Sequence, residues 1–107
     1  MRRKVLKRET LNKERVLIVG VELDKDEIDI DDSMDELESL VDAAGGQVIA
    51  RIVQRRYSIE PAYFIGKGKA LEIKNYCDSL NIDTVVFNDE LSGAQIRNLE
   101  EIIDRKI

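Results

Sequence analysis

The chain reads as an α/β domain, a mostly parallel four-stranded sheet with helices flanking its faces. Three observations predict this. Short apolar runs rich in β-branched residues alternate with stretches of helical period, the pattern of parallel sheets. Capping residues and glycines mark the switches between them. The length of 107 residues suits one domain with a modest core.

The elements follow in order. Arg15-Val16-Leu17-Ile18-Val19-Gly20 is an apolar run ending in glycine and reads as a buried strand. Residues 1–14 before it are polar and basic, without a clear period; a tail and a short pairing segment are both open readings. Residues 21–32 read as an acidic loop. Its Asp24-x-Asp26 start looks like a calcium loop, but the Gly and spaced Glu of such a loop are missing. Ser33-Met34-Asp35-Glu36 has the form of a capping box, opening a helix on which Met34, Leu37, Leu40, Val41 and Ala44 keep helical spacing. Gly45-Gly46 stops it. β-branched residues dominate 47–53, which read as the next strand.

Pro61 marks a loop, Tyr63-Phe64-Ile65 a short strand, and Gly66 a turn. Ala70, Ile73, Cys77 and Leu80 line one face of a helix over residues 68–80. Residues 82–88 read as the last clear strand. Ser92-Gly93-Ala94-Gln95 is a second capping box, with Ile96, Leu99 and Ile103 as the stripe of its helix. Lys106-Ile107 looks like the start of another strand. The step after Arg56 is irregular, with two strand-like runs in succession; a crossover and an antiparallel edge strand both satisfy it.

Composition bounds the function. One cysteine, Cys77, excludes an internal disulfide and fits a reducing, cytoplasmic setting. No apolar stretch approaches the ~20 residues of a membrane helix, and the basic N-terminus lacks the apolar core of a signal peptide. The net charge of −5 hides blocks: residues 22–42 carry eleven acidic and one basic side chain, residues 51–74 six basic and two acidic. An anionic partner is therefore compatible with an acidic chain.

In a parallel sheet, strand C-termini and helix N-termini meet at one edge. Gln54-Arg55-Arg56, Gly66-Lys67-Gly68-Lys69 and Asn88-Asp89-Glu90 would gather there. The helix after Gly66 has no Ser, Thr, Asp or Asn cap, so its first-turn N–H groups are left for water or an anion. Lys67 and Lys69 add charge, and Arg55 and Arg56 suit phosphate or carboxylate. The plainer readings are solvated lysines, a strand-end arginine pair directed to water or Glu60, and acidic residues that cap the next turn or pair with Arg97. Asn88, Gln95, Arg97 and Asn98 give the last helix a polar start suited to RNA or a partner domain. Neither a Walker A loop nor a dinucleotide fingerprint is present. There is no histidine, and neither capping serine has a base beside it; the residues suggest a binding module rather than an enzyme.

At these residues the chain resembles the N-terminal domain of HflX-type GTPases. The segments carrying the resemblance are Val53-Gln54-Arg55-Arg56, Pro61-Ala62-Tyr63-Phe64-Ile65-Gly66-Lys67-Gly68-Lys69, and Phe87-Asn88-Asp89-Glu90-Leu91-Ser92 with Gln95-Ile96-Arg97-Asn98-Leu99-Glu100. It spans residues 15–107, with 1–14 outside it. It implies a cytoplasmic protein that binds the large ribosomal subunit and its rRNA and splits or rescues stalled ribosomes. It also implies a following helical hairpin and GTPase domain that hold GTP and Mg²⁺, so this fragment has no cofactor of its own and is not expected to hydrolyse GTP. Arg55, Arg56, Lys67 and Lys69 are then the rRNA or phosphate contacts. Gln54, Gly66, Gly68, Asn88, Asp89, Glu90, Gln95, Arg97 and Asn98 face RNA or the parent's own GTPase domain. The alternative is an ATP site at Gly66-Lys67-Gly68-Lys69 linked to RNA remodelling. An open sheet edge would also permit a homodimer of the fragment.

Overall fold

The computed structural model describes residues 13–107. Most of the segment read as a tail therefore lies outside the described residues. Its last residue, Glu14, joins the fold: its carbonyl accepts from Gln47 N–H at 2.8 Å, and its carboxylate bonds the Thr84 hydroxyl.

Strand β1 (Arg15–Leu23) is the centre of a parallel sheet of order β2-β1-β3, between β2 (Gln47–Arg56) and β3 (Thr84–Phe87). Helix α1 (Ile30–Ala43) links β1 to β2, α2 (Lys67–Leu80) links β2 to β3, and α3 (Gly93–Ile103) follows β3. The sheet thus has three strands among the described residues, not the four expected. Lys106 makes one parallel bridge to Thr84, and its carbonyl accepts from Val85 N–H at 2.8 Å. One bridge is a start of pairing, and a strand needs more.

Residues 63–65 are the second departure. They form a turn with one antiparallel bridge, Glu60 to Phe64, and Phe64 takes the left-handed conformation at φ 67. A non-glycine residue there costs roughly 1–2 kcal/mol. Burial of the Phe64 ring, edge-to-face with Phe87 at 5.8 Å, offsets that cost. The irregular step after Arg56 is therefore a loop, and β2-α2-β3 is an ordinary crossover.

The sheet separates two cores. On one face Val16, Ile18, Met34 and Val41 pack β1 against α1. On the other, Leu17, Val19, Ile65, Ile73, Cys77, Val85, Leu99 and Ile103 join β1 and β3 to α2 and α3. The unbroken stretch from Val16 to Val21 is buried because β1 is covered on both faces. Gly20 is needed for this: a Cβ there would lie 2.7 Å from Met34 Sδ and 3.2 Å from Ile30 Cδ1. Burial pushes the Cys77 thiol above its ordinary pKa, in keeping with a core side chain.

Helix ends carry one correction. The expected Ser33 cap is not used. The helix starts at Ile30, with Asp29 as N-cap accepting from Asp31 N–H at 2.8 Å. Starting earlier brings Ile30 onto the α1-side core and sets Asp31 and Asp32 in the first turn, where the dipole favours negative charge. Gly45, at φ 93, ends α1 as expected. The Ser92–Gln95 capping box is present in both directions.

One ion cluster braces α2. Asp78 accepts from Arg105 at 2.9 Å and Lys74 at 3.3 Å, while Arg105 also donates to the Ile82 carbonyl. The Arg105 hydrogen bond first, and Lys74 second, hold the Asp78 carboxyl below its ordinary pKa. A depressed folded pKa gives stability that is present above the unfolded carboxylate value and lost as pH falls through the folded one. We expect Asp78→Asn to flatten that acid limb of a denaturation-versus-pH curve. Added salt should shrink the difference, because the group is exposed.

Candidate functional site

The expected edge exists, but the sheet divides it between two faces. From the Leu17–Ala50 pair onward, β2 pairs with β1 in constant register. Gln54 and Arg56 fall on the α2 side; Arg55 falls on the α1 side, on the same face as Gly20 and Glu22. The Arg55-Arg56 pair of the sequence is therefore split between the two faces at the end of β2.

On the α2 side, the strand end and the helix start meet. Gly66 is the N-cap of α2, without a side-chain cap, and its own N–H is received by Gln54 Oε1 at 3.0 Å. Arg56 Nη1 lies 2.9 Å from where a Gly66 Cβ would be. The Arg56 Nε is anchored on the Ser58 carbonyl at 2.9 Å, and its terminal nitrogens have no other bond among the described residues. A Cβ at Gly68 would meet nothing within 4 Å, so the backbone there is open to approach. Lys67 is exposed, and Lys69 pairs with Glu72 at 2.9 Å within its own helix. The geometry offers an anion uncapped N–H groups, one anchored guanidinium and a neighbouring ammonium.

On the α1 side, Arg55 pairs with Asp24 at 3.2 Å, both largely exposed. Such a pair contributes about 0–1 kcal/mol and is easily exchanged. Glu60, offered as a sequence partner for the arginines, is engaged elsewhere. Its carboxylate accepts from Ala62 and Tyr63 N–H at 2.8 and 2.7 Å and shapes the loop ahead of Gly66.

Asn88 lies across β1 from the arginines. Its Nδ2 reaches Ser33 Oγ at 3.4 Å, and its Oδ1 is buried without a partner among the described residues. It lines a groove of about 520 Å³ with Lys25, Asp26, Ser33 and Asp89, where the ends of β1 and β3 diverge. Sequence reasoning missed this groove, because nothing in residues 24–33 signals that they face Asn88. Asp89 accepts from Glu90 N–H, a local turn contact, and neither acidic residue pairs with Arg97 among the described residues. Gln95 and Asn98 hold the 60–62 loop by its carbonyls: Gln95 Nε2 to Glu60 and Pro61 at 3.3 Å each, Asn98 Nδ2 to Ala62 at 2.9 Å. These two side chains brace the loop that presents Gly66.

Among the described residues, no group of three or more His, Cys, Asp or Glu is placed to hold a metal ion, and no helix is long and apolar enough to cross a membrane.

Fold and edge together define a doubly wound α/β domain that presents cationic side chains and an uncapped helix N-terminus beyond its strand ends. Comparison with known proteins gives the family. The profile of the GTP-binding GTPase N-terminal family matches residues 31–107. Among curated relatives, the GTPase HflX of Lacrimispora saccharolytica is 45% identical over 94 residues, covering 88% of this chain and 22% of that protein. The GTPase HflX of Flavobacterium psychrophilum is 41% identical over 104 residues, covering 96% and 25%. The GTPase HflX of Escherichia coli is 35% identical over 94 residues, covering 88% and 22%. The chain belongs to this family, as an HflX-type N-terminal domain. It spans about a quarter or less of the length of these relatives.

Proposed function

We propose that the domain is a gripping module of an HflX-type GTPase, which holds rRNA of the large ribosomal subunit while a separate domain binds GTP and Mg²⁺. The parent protein, in this reading, acts in the cytoplasm to split or rescue stalled ribosomes. The observation that carries the proposal is the uncapped start of α2 with Arg56 anchored beside it. A phosphate there would accept from backbone N–H groups and a guanidinium together. Arg55, Lys67 and Lys69 extend the cationic surface on either side. Asp89, Glu90 and Arg97, which the domain's own packing leaves exposed, are assigned to the seat of the GTPase domain. The relatives are named as GTPases, which favours GTP over ATP as the nucleotide of the parent protein.

The test is co-sedimentation with purified large subunits across a salt series. Every phosphate that a variant no longer neutralises should reduce the slope of log K against log salt by about 0.9. The variant carrying Arg55→Glu, Arg56→Glu, Lys67→Glu and Lys69→Glu is expected to pellet far less than wild type. Equal pelleting of the two would remove this edge as the grip.

A further inference from the structure

One side chain at this edge has no role in the fold. Tyr57 directly follows β2 and is 89% exposed, the most exposed large apolar residue among those described. It makes no hydrogen bond among the described residues. It lines an open groove of about 400 Å³ with Asp24, Arg55 and Arg56. Nothing in the packing requires an aromatic ring there, and a ring left in water is a platform for another flat group.

We propose that Tyr57 stacks on an unpaired base, so that this corner takes single-stranded or looped RNA whose phosphates lie on Arg55 and Arg56. The inference rests on the RNA-gripping reading above and deepens it, from RNA in general to RNA with an accessible base. Three arguments favour it. The two arginines directly precede the ring in sequence and line the groove with it, so a base on the ring brings its own phosphates within their reach. The Arg55–Asp24 pair is exposed and exchangeable for a phosphate. A duplex keeps its bases stacked inside and has no face to offer a side chain, whereas loops and bulges splay theirs out. A protein partner would also use Tyr and Arg, but its hot spots are ringed by contacts that exclude water. Here the neighbours of the ring are charged and exposed.

The chain has no tryptophan and three tyrosines, so tyrosine emission can report the contact directly. The probes are a fluorescein-labelled single-stranded RNA and a duplex of the same sequence, read by anisotropy, with emission quenching of unlabelled complexes alongside. Wild type should prefer the single strand and be quenched by it. Tyr57→Ala should weaken single-strand binding about tenfold, the typical loss of one stacked base, and leave the duplex unchanged. Tyr57→Phe should restore it. Because the ring is exposed, neither variant perturbs the core. If single-strand and duplex binding stay salt-sensitive while Tyr57→Ala changes neither, or weakens both alike, the stacking proposal is overturned and the gripping reading stands. If wild type binds neither RNA, both fall. Loss of contact with the GTPase domain in Tyr57→Ala, with RNA affinity intact, assigns the ring to a protein partner and overturns the proposal.

Discussion

Leu17→Ala will lower the unfolding free energy by about 3 kcal/mol, read as a fall in the urea midpoint with unchanged slope. Leu17 is fully buried in the central strand, on the face covered by α2 and α3. Truncation removes apolar contact and leaves a cavity that a strand paired on both sides cannot relax to fill. Small domains hold about 5–15 kcal/mol in total, so a large share of the stability goes with one side chain. Val53→Ala is the contrast: Val53 is 41% exposed on edge strand β2, and its loss should move the midpoint little. Equal shifts for the two would contradict the two-face core.

Glu60→Ala comes second, with an expected loss of about 2 kcal/mol. One carboxylate oxygen accepts from the half-buried N–H groups of Ala62 and Tyr63, and the Glu60 backbone exchanges bonds with Phe64 at 3.2 and 2.8 Å. Removing the acceptor strands two donors, and charge-assisted bonds are about twice as strong as neutral ones. Glu60→Gln keeps an oxygen and should recover part of the loss. The loop leads into Gly66, so if the domain grips the large subunit as proposed, Glu60→Ala should also weaken that binding without touching any cation of the edge. Thermal melts and co-sedimentation of both variants check the two halves of this expectation.

The alternation of strand and helix was legible because β1 is an unbroken apolar run and α2 keeps Ala70, Ile73 and Cys77 on one face. Gly45-Gly46 and the Ser92–Gln95 box were legible for the same local reason: capping chemistry is written in a few adjacent residues. What local reading could not weigh was tertiary demand. Ser33-x-x-Glu36 is a sound box, yet Asp29 wins because it lets Ile30 reach the core. Tyr63-Phe64-Ile65 has strand composition, yet Phe64 adopts a left-handed backbone to bury its ring on Phe87. At the edge, the residue types were visible and their partition was not. Arg55 and Arg56 are adjacent in the chain and opposed across the sheet, and Gln95 and Asn98 brace a loop more than thirty residues earlier.

That partition depends on a single residue. The pairing of β1 with β2 slips between Val16 and Leu17, so that Val16 faces Val48 while Leu17 faces Ala50. Ile49 is the surplus residue, a bulge in β2. Everything downstream in β2 is set in phase by it. Were the bulge absorbed, so that Leu17 faced Ile49, the chain would keep its motifs and its cations, yet every later side chain of the strand would change sides. Arg55 would turn toward α2, and Arg56 would leave it. Chemical identity at this edge is thus governed by a counting rule: a one-residue change of pairing register far up the strand exchanges the two arginines as surely as mutating both.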